Sequence, residues 1–201
     1  MSGSKFADRV LSMNISGIRK MFEAAGSDAI NLGLGQPDFD TPQHIKQAAI
    51  DAINSGFTAY TAGPGIIELR EVLSRKFKKE NSFEVDPSEI IITSGASEAL
   101  ELAIASLVDP GDEVMIADPG FVSYNALVNM MGGKVSSIPL DDELTIRPET
   151  IMEKLSPKTK AMIINSPANP TGAVQSKKDM KALAEIADDK NITIISDEVY
   201  E

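Results

Sequence analysis

The 201-residue sequence contains no cysteine and only one histidine. A chain without cysteine has no disulfide, no thiolate nucleophile and no cysteine-based metal site, and one histidine leaves little for a histidine-built site. We therefore expect no metal centre. The net charge of -11 argues against a nucleic-acid-binding surface, because contacts with phosphates need clustered lysine and arginine.

Long apolar runs are also missing. The sequence has no stretch long enough to cross a membrane, and its N-terminus lacks a basic segment followed by an apolar one. Neither a membrane span nor a secretory signal is predicted. With a hydrophobic fraction of 42%, which is ordinary for a globular protein, we expect a cytoplasmic globular protein.

Short apolar segments rich in β-branched residues alternate with segments of helical period from residue 86 onward. The predicted strands are Ile90–Thr93, Glu113–Ala117, Lys134–Pro139, Lys160–Asn165 and Ile192–Asp197. Two apolar stripes at helical spacing predict crossover helices: Leu100, Ala103, Ile104 and Leu107, then Met180, Leu183, Ala184 and Ala187. This alternation predicts an α/β fold with a mostly parallel sheet flanked by helices.

Other helix signals flank this pattern. Ser176 followed by Asp179 resembles a capping box at the start of the second crossover helix. Earlier in the chain, one helix is predicted from about Pro42 to Ser55, with Thr41 as its cap, and another from about Ile66 to Lys79. A loose apolar stripe over residues 5–25 predicts an N-terminal arm.

Polar clusters follow four of the five predicted strands: Ser94–Ser97, Asp118–Phe121, Asn165–Gly172 and Asp197–Tyr200. The carboxyl ends of parallel strands meet at one edge of a sheet, and ligands bind in the crevice there. The Ser94–Ser97 segment could hold a phosphate at a helix N-terminus or could be a simple serine-capped turn. Asp197 is either a buried acid that needs a cationic partner or a solvated acid at a strand end.

The ordered motifs of the chain are similar to those of class I/II aminotransferases, the fold-type-I enzymes that use pyridoxal 5'-phosphate. The four strand-end clusters carry this resemblance, together with Ser16–Arg19, Leu34–Phe39, Tyr60, Gly63–Gly65 and Glu68–Arg70. The resemblance implies the large domain of that fold over residues 29–201, incomplete at its C-terminus, and an arm over residues 1–28 on the side of the small domain.

The resemblance also implies roles for individual residues around the cofactor. Gly95, Ala96 and Ser97 would hold the phosphate. Phe121 would stack on the pyridine ring, with Tyr124 as a second candidate and a core phenylalanine as the alternative interpretation. Asp197 would pair with the ring nitrogen, and Asn169 and Tyr200 would donate hydrogen bonds to the ring oxygen O3'.

Two further residues are implied in substrate binding and assembly. Gly35, with Asn169, would lie against the substrate carboxylate, and Tyr60 would reach the cofactor phosphate of a second subunit, so a homodimer is implied. Alternatively, Gly35 serves a turn that requires positive φ, and Tyr60 is an exposed loop aromatic.

No catalytic residue is assigned, because the Schiff-base lysine of this family would lie beyond Glu201. Lys160 and Lys190 stand at the wrong ends of predicted strands. The expected activity of the parent protein is transfer of an amino group between an amino acid and a 2-oxo acid, while the 201 residues alone are expected to be inactive. A lyase of the same fold and a non-catalytic ligand-binding fragment are the alternatives.

Overall fold

The computed structural model describes residues 5–11, 13, 30, 35 and 37–201. The chain divides into two compact units: Met1–Asn14 with Ser94–Glu201, and Ile15–Thr93. We refer to the first as the sheet unit and to the second as the helical unit.

The described residues form seven α-helices and four strands. The α-helices are α1 Asp8–Leu11, α2 Gln43–Asn54, α3 Ile67–Lys76, α4 Gly95–Leu107, α5 Val122–Met130, α6 Pro148–Lys154 and α7 Lys177–Lys190. The strands are β1 Glu113–Asp118, β2 Lys134–Pro139, β3 Thr159–Asn165 and β4 Thr193–Asp197. A π-helical turn, Phe77–Asn81, and a 3-10 turn, Pro87–Glu89, complete them.

The four strands form one parallel sheet in the order β2-β1-β3-β4. The predicted α/β class and parallel sheet are thereby confirmed. The two central strands, β1 and β3, contain runs of fully buried residues, whereas β2 and β4 at the edges are only partly buried. Continuous apolar character thus marks the strands with a neighbour on each side.

The sheet separates two apolar clusters because successive strand residues point to opposite faces. On one face, Val114 and Ile116 of β1 pack with Ile104 of α4 and with Val128 of α5. On the other face, Met115 of β1 packs with Ile151 of α6 and with Leu183 of α7. The sheet unit is therefore a sheet covered by helices on both faces.

Both predicted crossover helices form. Leu100 and Ile104 are the buried positions of α4, and Leu183 and Ala187 are those of α7. Ala184, which the stripe predicts as buried, is exposed. Ile186 instead packs against the apolar cluster that contains Leu183 and Ala187. Ser176 caps α7 by accepting the N–H of Asp179 at 3.1 Å.

Among the residues that the structure describes, the helical unit contains α2, α3 and the two short turns. The helix predicted over Ile66–Lys79 forms as α3 followed by the π-helical turn, which ends at Ser82 in a left-handed conformation. The predicted Thr41 cap is wrong: Pro42 is the N-cap of α2 and makes no side-chain capping bond. Proline fixes φ at the helix entrance and moves the boundary one residue inward.

The predicted strand at Ile90–Thr93 is also wrong. Ile90 has an extended backbone, but the N–H of Ile92 donates to the carbonyl of Pro64 at 3.0 Å, and the segment joins no ladder among the described residues. Apolar β-branched sequence favours an extended chain, but only a neighbouring strand makes it part of a sheet.

Most of the predicted N-terminal arm, residues 1–28, lies outside the described residues, which include α1 from this part of the chain. Within residues 5–11, 13, 30, 35 and 37–201, the structure contains no helix with the length and apolar character needed to span a membrane.

Candidate functional site

The connections of the sheet reverse direction between β1 and β3. From β1 the chain moves outward to β2, then returns to β3 on the opposite side of β1. Such a reversal opens a crevice beyond the carboxyl ends of the two strands, which is where open parallel sheets bind ligands. The Asp118–Phe121 and Asn165–Gly172 segments follow these two strands, so the predicted convergence of their ends is confirmed.

A cavity of about 30 Å³ lies at these strand ends. Most of its lining is apolar, and its polar members are Tyr124, Asn165, Asn169 and Gln175. The full lining comprises Ala117, Pro119, Gly120, Tyr124, Leu140, Leu144, Ile146, Ile163, Asn165, Ala168, Asn169, Ala173 and Gln175. Side chains from both motif segments therefore border the same space.

Asp197 is the last residue of β4 and is 9% exposed. Its Oδ2 accepts the hydroxyl of Tyr124 at 2.7 Å, and its Oδ1 accepts the N–H of Val199 at 3.2 Å. Both donors are neutral, and a carboxylate has lone pairs for about four hydrogen bonds. The buried carboxylate thus retains capacity for a further donor, above all a cationic one.

Tyr124 is 3% exposed and lies on α5. Burial raises the pKa of its phenol, and the hydrogen bond to Asp197 and the negative charge of Asp197 raise that pKa further. The phenol therefore remains protonated and donates its proton to Asp197. This hydrogen bond to Asp197 is a contact that the sequence does not predict.

Asn169 and Tyr200 meet at the same strand ends. The Asn169 amide nitrogen, Nδ2, lies 3.4 Å from the Tyr200 hydroxyl, and the Asn169 N–H donates to Oδ1 of Asn165 at 2.7 Å. Tyr200 is 54% exposed. These two side chains present an amide N–H₂ and a hydroxyl next to each other, a pair that can donate hydrogen bonds to one anionic oxygen.

Phe121 is the N-cap residue of α5 and is partly buried. Its ring meets the ring of Tyr124 edge to face, with centroids 5.4 Å apart and planes at 82°. The preceding Gly120 has a steric reason to be glycine, because a Cβ there would lie 2.4 Å from the carbonyl oxygen of Ala117. The tight turn at Gly120 brings Phe121 close to the end of β1.

Gly95, Ala96 and Ser97 form the first turn of α4, as predicted for a phosphate site. Gly95 has a φ of 78° with no atom within 4 Å of a Cβ placed there, so its backbone angle rather than space requires glycine. Ser94, the N-cap, makes no side-chain capping bond, although its N–H donates to Glu98. First-turn N–H groups lack acceptors within the helix and favour anions.

The contacts join five of the predicted residues in two groups, which Asn165 connects into one network. Phe121 touches Tyr124, Tyr124 donates to Asp197, and Asn169 meets Tyr200. The first turn of α4 belongs to the same unit, and the apolar face of α4 packs in the same cluster as Tyr124. Gly35 and Tyr60 are both exposed and belong to the helical unit. Of the other motifs, Ser16–Arg19, Leu34 and Gln36 lie outside the described residues.

No individual role for Asn165 is predicted from the sequence. Its side-chain Nδ2 donates to the carbonyl oxygen of Asp197 at 2.8 Å, in addition to the bond that its Oδ1 accepts from Asn169. The signal for this role is an asparagine at a strand end with a second asparagine four residues later. Gln175, held by Ser166, similarly pairs both ends of its amide with the backbone of Ile146.

The loops that follow the carboxyl ends of the four strands contain no lysine; they are residues 119–121, 140–147, 166–176 and 198–201. Lys160 is the second residue of β3, and Lys190 ends α7, where it pairs with Asp189 at 2.7 Å. Both lysines stand at the amino ends of strands, opposite the site, as the sequence predicts.

Comparison with known proteins gives consistent matches. The family model of aminotransferase class I and II matches residues 27–201. A probable aspartate aminotransferase of Methanocaldococcus jannaschii is 50% identical over 195 residues, which are 97% of this chain and 52% of that protein. An aspartate aminotransferase of Pyrococcus abyssi is 44% identical over 200 residues, which are 97% of this chain and 51% of that protein.

Solved structures agree with these relatives. The structure of Thermus thermophilus aspartate aminotransferase with maleate matches with a TM-score of 0.93 at 39% identity, covering 99% of this chain and 54% of that one. The chain spans about half the length of the curated relatives it matches. Its fold, its ordered motifs and its matches together place the chain in the aminotransferase class I and II family.

Proposed function

We propose that this chain provides the cofactor-binding part of a pyridoxal 5'-phosphate-dependent aminotransferase, which transfers an amino group between an amino acid and a 2-oxo acid. The observation that supports this most strongly is the buried Asp197 carboxylate, which has two neutral donors and room for a cationic one. A protonated pyridine nitrogen is a donor of that kind.

The residues of the sheet unit fit the three polar features of this cofactor. Gly95, Ala96 and Ser97 lie at the N-terminus of α4, where the helix dipole favours an anion such as a phosphate. Asp197 offers a carboxylate to the ring nitrogen, and Asn169 and Tyr200 offer neighbouring donors to the ring oxygen O3'. Phe121 supplies an aromatic ring beside them.

When bound, the cofactor supplies an electron-withdrawing ring that makes loss of the substrate α-proton possible. Asp197 would hold the proton on the ring nitrogen, since an anionic carboxylate there favours the charged ring. Tyr124 supports that state by donating to Asp197 and by remaining protonated itself. Asn169 and Tyr200 would stabilise negative charge on O3'.

Further assignments concern substrates and assembly. We propose Gly35 and Asn169 as contacts of the substrate carboxylate, Tyr60 as a contact to the phosphate bound by a second subunit of a homodimer, and a Schiff-base lysine from outside the 201 residues. Residues 29–201 are proposed as the first part of the large domain, with residues 1–28 as an arm. The names of the relatives point to aspartate or aromatic amino acids as donors.

Binding to the 201-residue chain tests the cofactor assignment. Pyridoxamine 5'-phosphate is the suitable probe because it lacks the aldehyde that reacts with surface lysines. We expect Asp197→Asn to weaken its binding about tenfold, as expected for the loss of a hydrogen bond to a charged group. Asp118→Asn is the matched control, since Asp118 ends β1 as Asp197 ends β4 but is exposed and accepts from Ser137.

The binding test has two negative outcomes. Equal effects of the two substitutions would contradict the assignment of Asp197, and no binding by the wild-type chain would contradict the cofactor site. The activity itself is tested in a protein that also contains the missing lysine. Failure to transfer an amino group from aspartate, phenylalanine or tyrosine to any 2-oxo acid would refute the aminotransferase proposal.

A further inference from the structure

Asn165 is the last residue of β3 and stands opposite Asp197, the last residue of β4, in the register of the sheet. Its side-chain amide makes two hydrogen bonds in different directions. Nδ2 donates to the carbonyl oxygen of Asp197 at 2.8 Å, and Oδ1 accepts the N–H of Asn169 at 2.7 Å. One amide therefore connects the end of β4 to the loop that follows β3.

The residue type follows from the two partners. One partner is a carbonyl, which needs a donor, and the other is an N–H, which needs an acceptor, so the side chain must supply both. An aspartate has nearly the same shape but lacks the donor, and an alanine lacks both groups. Without Asn165, two partly buried backbone groups would lose their partners, which is costly.

The two connected segments carry the proposed contacts to the cofactor ring. Asp197 is held at its carboxylate by Tyr124 and at its carbonyl by Asn165. Asn169 is held at its N–H by Asn165, and its side chain reaches Tyr200. The spacing between the acceptor for the ring nitrogen and the donors for O3' is thus controlled at Asn165.

We propose that Asn165 is a positioning residue, which sets the distance between Asp197 and Asn169 so that both can engage one pyridine ring. This inference rests on the proposed function. Asn165 would act through its two neighbours, Asp197 and Asn169. Its importance follows from the sensitivity of such sites, where a displacement of about 1 Å is enough to lose productive geometry.

Three variants of the 201-residue chain test the inference. Asn165→Ala removes both hydrogen bonds, and Asn165→Asp keeps the acceptor for Asn169 while removing the donor to Asp197. Ser166→Ala is the matched control, because Ser166 lies in the same loop and its hydroxyl accepts the N–H of Gln175 at 2.9 Å without touching Asp197 or Asn169.

The first measurement needs no ligand and follows hydrogen exchange at the Asn169 N–H. We expect about tenfold faster exchange in Asn165→Ala, since loss of an acceptor makes local opening easier. Asn165→Asp and Ser166→Ala should exchange as the wild type does. An unchanged Asn169 rate in Asn165→Ala would overturn the inference. If Asn165→Ala does not fold, Asn165→Asp serves as the test. Because this variant keeps the acceptor for the Asn169 N–H, faster exchange of that N–H in Asn165→Asp would also overturn the inference.

The second measurement uses pyridoxamine 5'-phosphate as the probe. Both Asn165 variants should bind it about fivefold to tenfold more weakly, because each loses at least the hydrogen bond to the Asp197 carbonyl, which orients a ring contact. Ser166→Ala should stay within about twofold of the wild type, the range of a substitution outside the network. The pH profile of the bound ring's absorbance should move in the Asn165 variants, which a general loss of stability would not cause.

These outcomes separate the inference from the proposed function. Binding of the probe by the wild type with unchanged affinity and ring absorbance in both Asn165 variants would overturn the positioning role and leave the cofactor site intact. No binding by the wild type would refute the proposed cofactor site. Hydrogen exchange at the Asn169 N–H would still support or overturn the connection that Asn165 makes between the two segments.

Discussion

The sheet unit buries its large apolar side chains on both faces of a parallel sheet, whereas α2 and α3, the helices described in the helical unit, contain no buried residue. Both units have amphipathic helices. In the sheet unit the apolar stripes of α4 and α7 meet strands, but Ile45, Ile50 and Ile53 of α2 are 51%, 47% and 65% exposed. Amphipathic sequence therefore determines which face of a helix is apolar, and the sheet determines which helix becomes core.

The residues of the candidate site and the predicted site residues of the helical unit differ in the same way. In the sheet unit, Asp197, Tyr124 and Asn165 are connected by hydrogen bonds of 2.7 and 2.8 Å. In the helical unit, Tyr60 and Gly35 are both exposed. In the sheet unit, a packed scaffold holds the predicted site residues in place. We expect substitutions there to have larger effects than substitutions in the helical unit.

The strongest contrast should come from the same substitution in a helix of each unit. Ile104 of α4 is 0% exposed and Ile53 of α2 is 65% exposed. We expect Ile104→Ala to lower the free energy of unfolding by about 4 kcal/mol, since it leaves a cavity in the core. Ile53→Ala should change it by less than about 0.5 kcal/mol.

Urea unfolding followed by circular dichroism measures both variants, and hydrogen exchange assigns each effect to a unit. A large loss of stability in Ile53→Ala would show that α2 is packed in solution and would remove the contrast between the units.

A glycine pair tests how tightly the helical unit is built. Gly65 has a φ of 98°, and a Cβ there would lie 2.4 Å from Cγ1 of Ile92. Gly56 has a φ of 79° with open space around it. We expect Gly65→Ala to cost about 3 kcal/mol from strain and overpacking together, and Gly56→Ala about 1 kcal/mol from strain alone.

The Ile92 N–H donates to the carbonyl oxygen of Pro64 at 3.0 Å. Hydrogen exchange at this N–H therefore reports how easily the segment packed against Gly65 opens. Equal exchange rates in the two alanine variants would mean that Ile92 moves aside at no cost.

The buried hydrogen bond of the sheet unit should have the next largest effect. Tyr124→Phe removes the hydroxyl that donates to Asp197 at 2.7 Å and keeps the ring. We expect a loss of about 2 kcal/mol at neutral pH, because a buried carboxylate loses a donor. Tyr200→Phe, at a 54% exposed ring, is the control and should cost less than about 0.5 kcal/mol.

The same pair of variants gives a pH dependence. The pKa of Tyr124 is raised in the folded chain, so the folded state holds the phenolic proton more tightly than the unfolded state does. This contribution to stability is complete below the unfolded pKa of about 10 and is lost as the pH rises above it. Unfolding between pH 9 and 11 should show a wild-type slope steeper by up to about 1.4 kcal/mol per pH unit than that of Tyr124→Phe. Parallel slopes would contradict a raised pKa.

Most of the sheet could be predicted because its strands are short, rich in β-branched residues and separated by segments of helical period. The prediction at Ile90–Thr93 failed although the sequence has the same character, since a strand exists only with a partner, and the N–H of Ile92 bonds to a loop carbonyl. A local pattern cannot specify what lies beside a segment. The same limit applies to Ala184, which has helical spacing but lies beyond the edge of the buried face.

The place of the candidate site could also be predicted, because parallel strands bring their carboxyl ends to one edge. The side-chain partners could not. Tyr124 and Asp197 are 73 residues apart in sequence, and their contact depends on how α5 packs against the sheet. Asn165 lies within a predicted motif, but its function as a connector depends on the register that places it opposite Asp197.

The smallest predicted effect concerns the caps of two helices. Ser176 accepts the N–H of Asp179 at 3.1 Å and caps α7, whereas Thr41 precedes Pro42, which is the N-cap of α2. Ser176→Ala should cost about 1 kcal/mol, since one N–H of the first turn loses its acceptor. Thr41→Ala should have no measurable effect on stability, because proline already fixes the entrance of α2. Comparison of the two unfolding free energies tests both expectations: a loss of stability in Thr41→Ala as large as that in Ser176→Ala would show that the threonine caps α2 in solution.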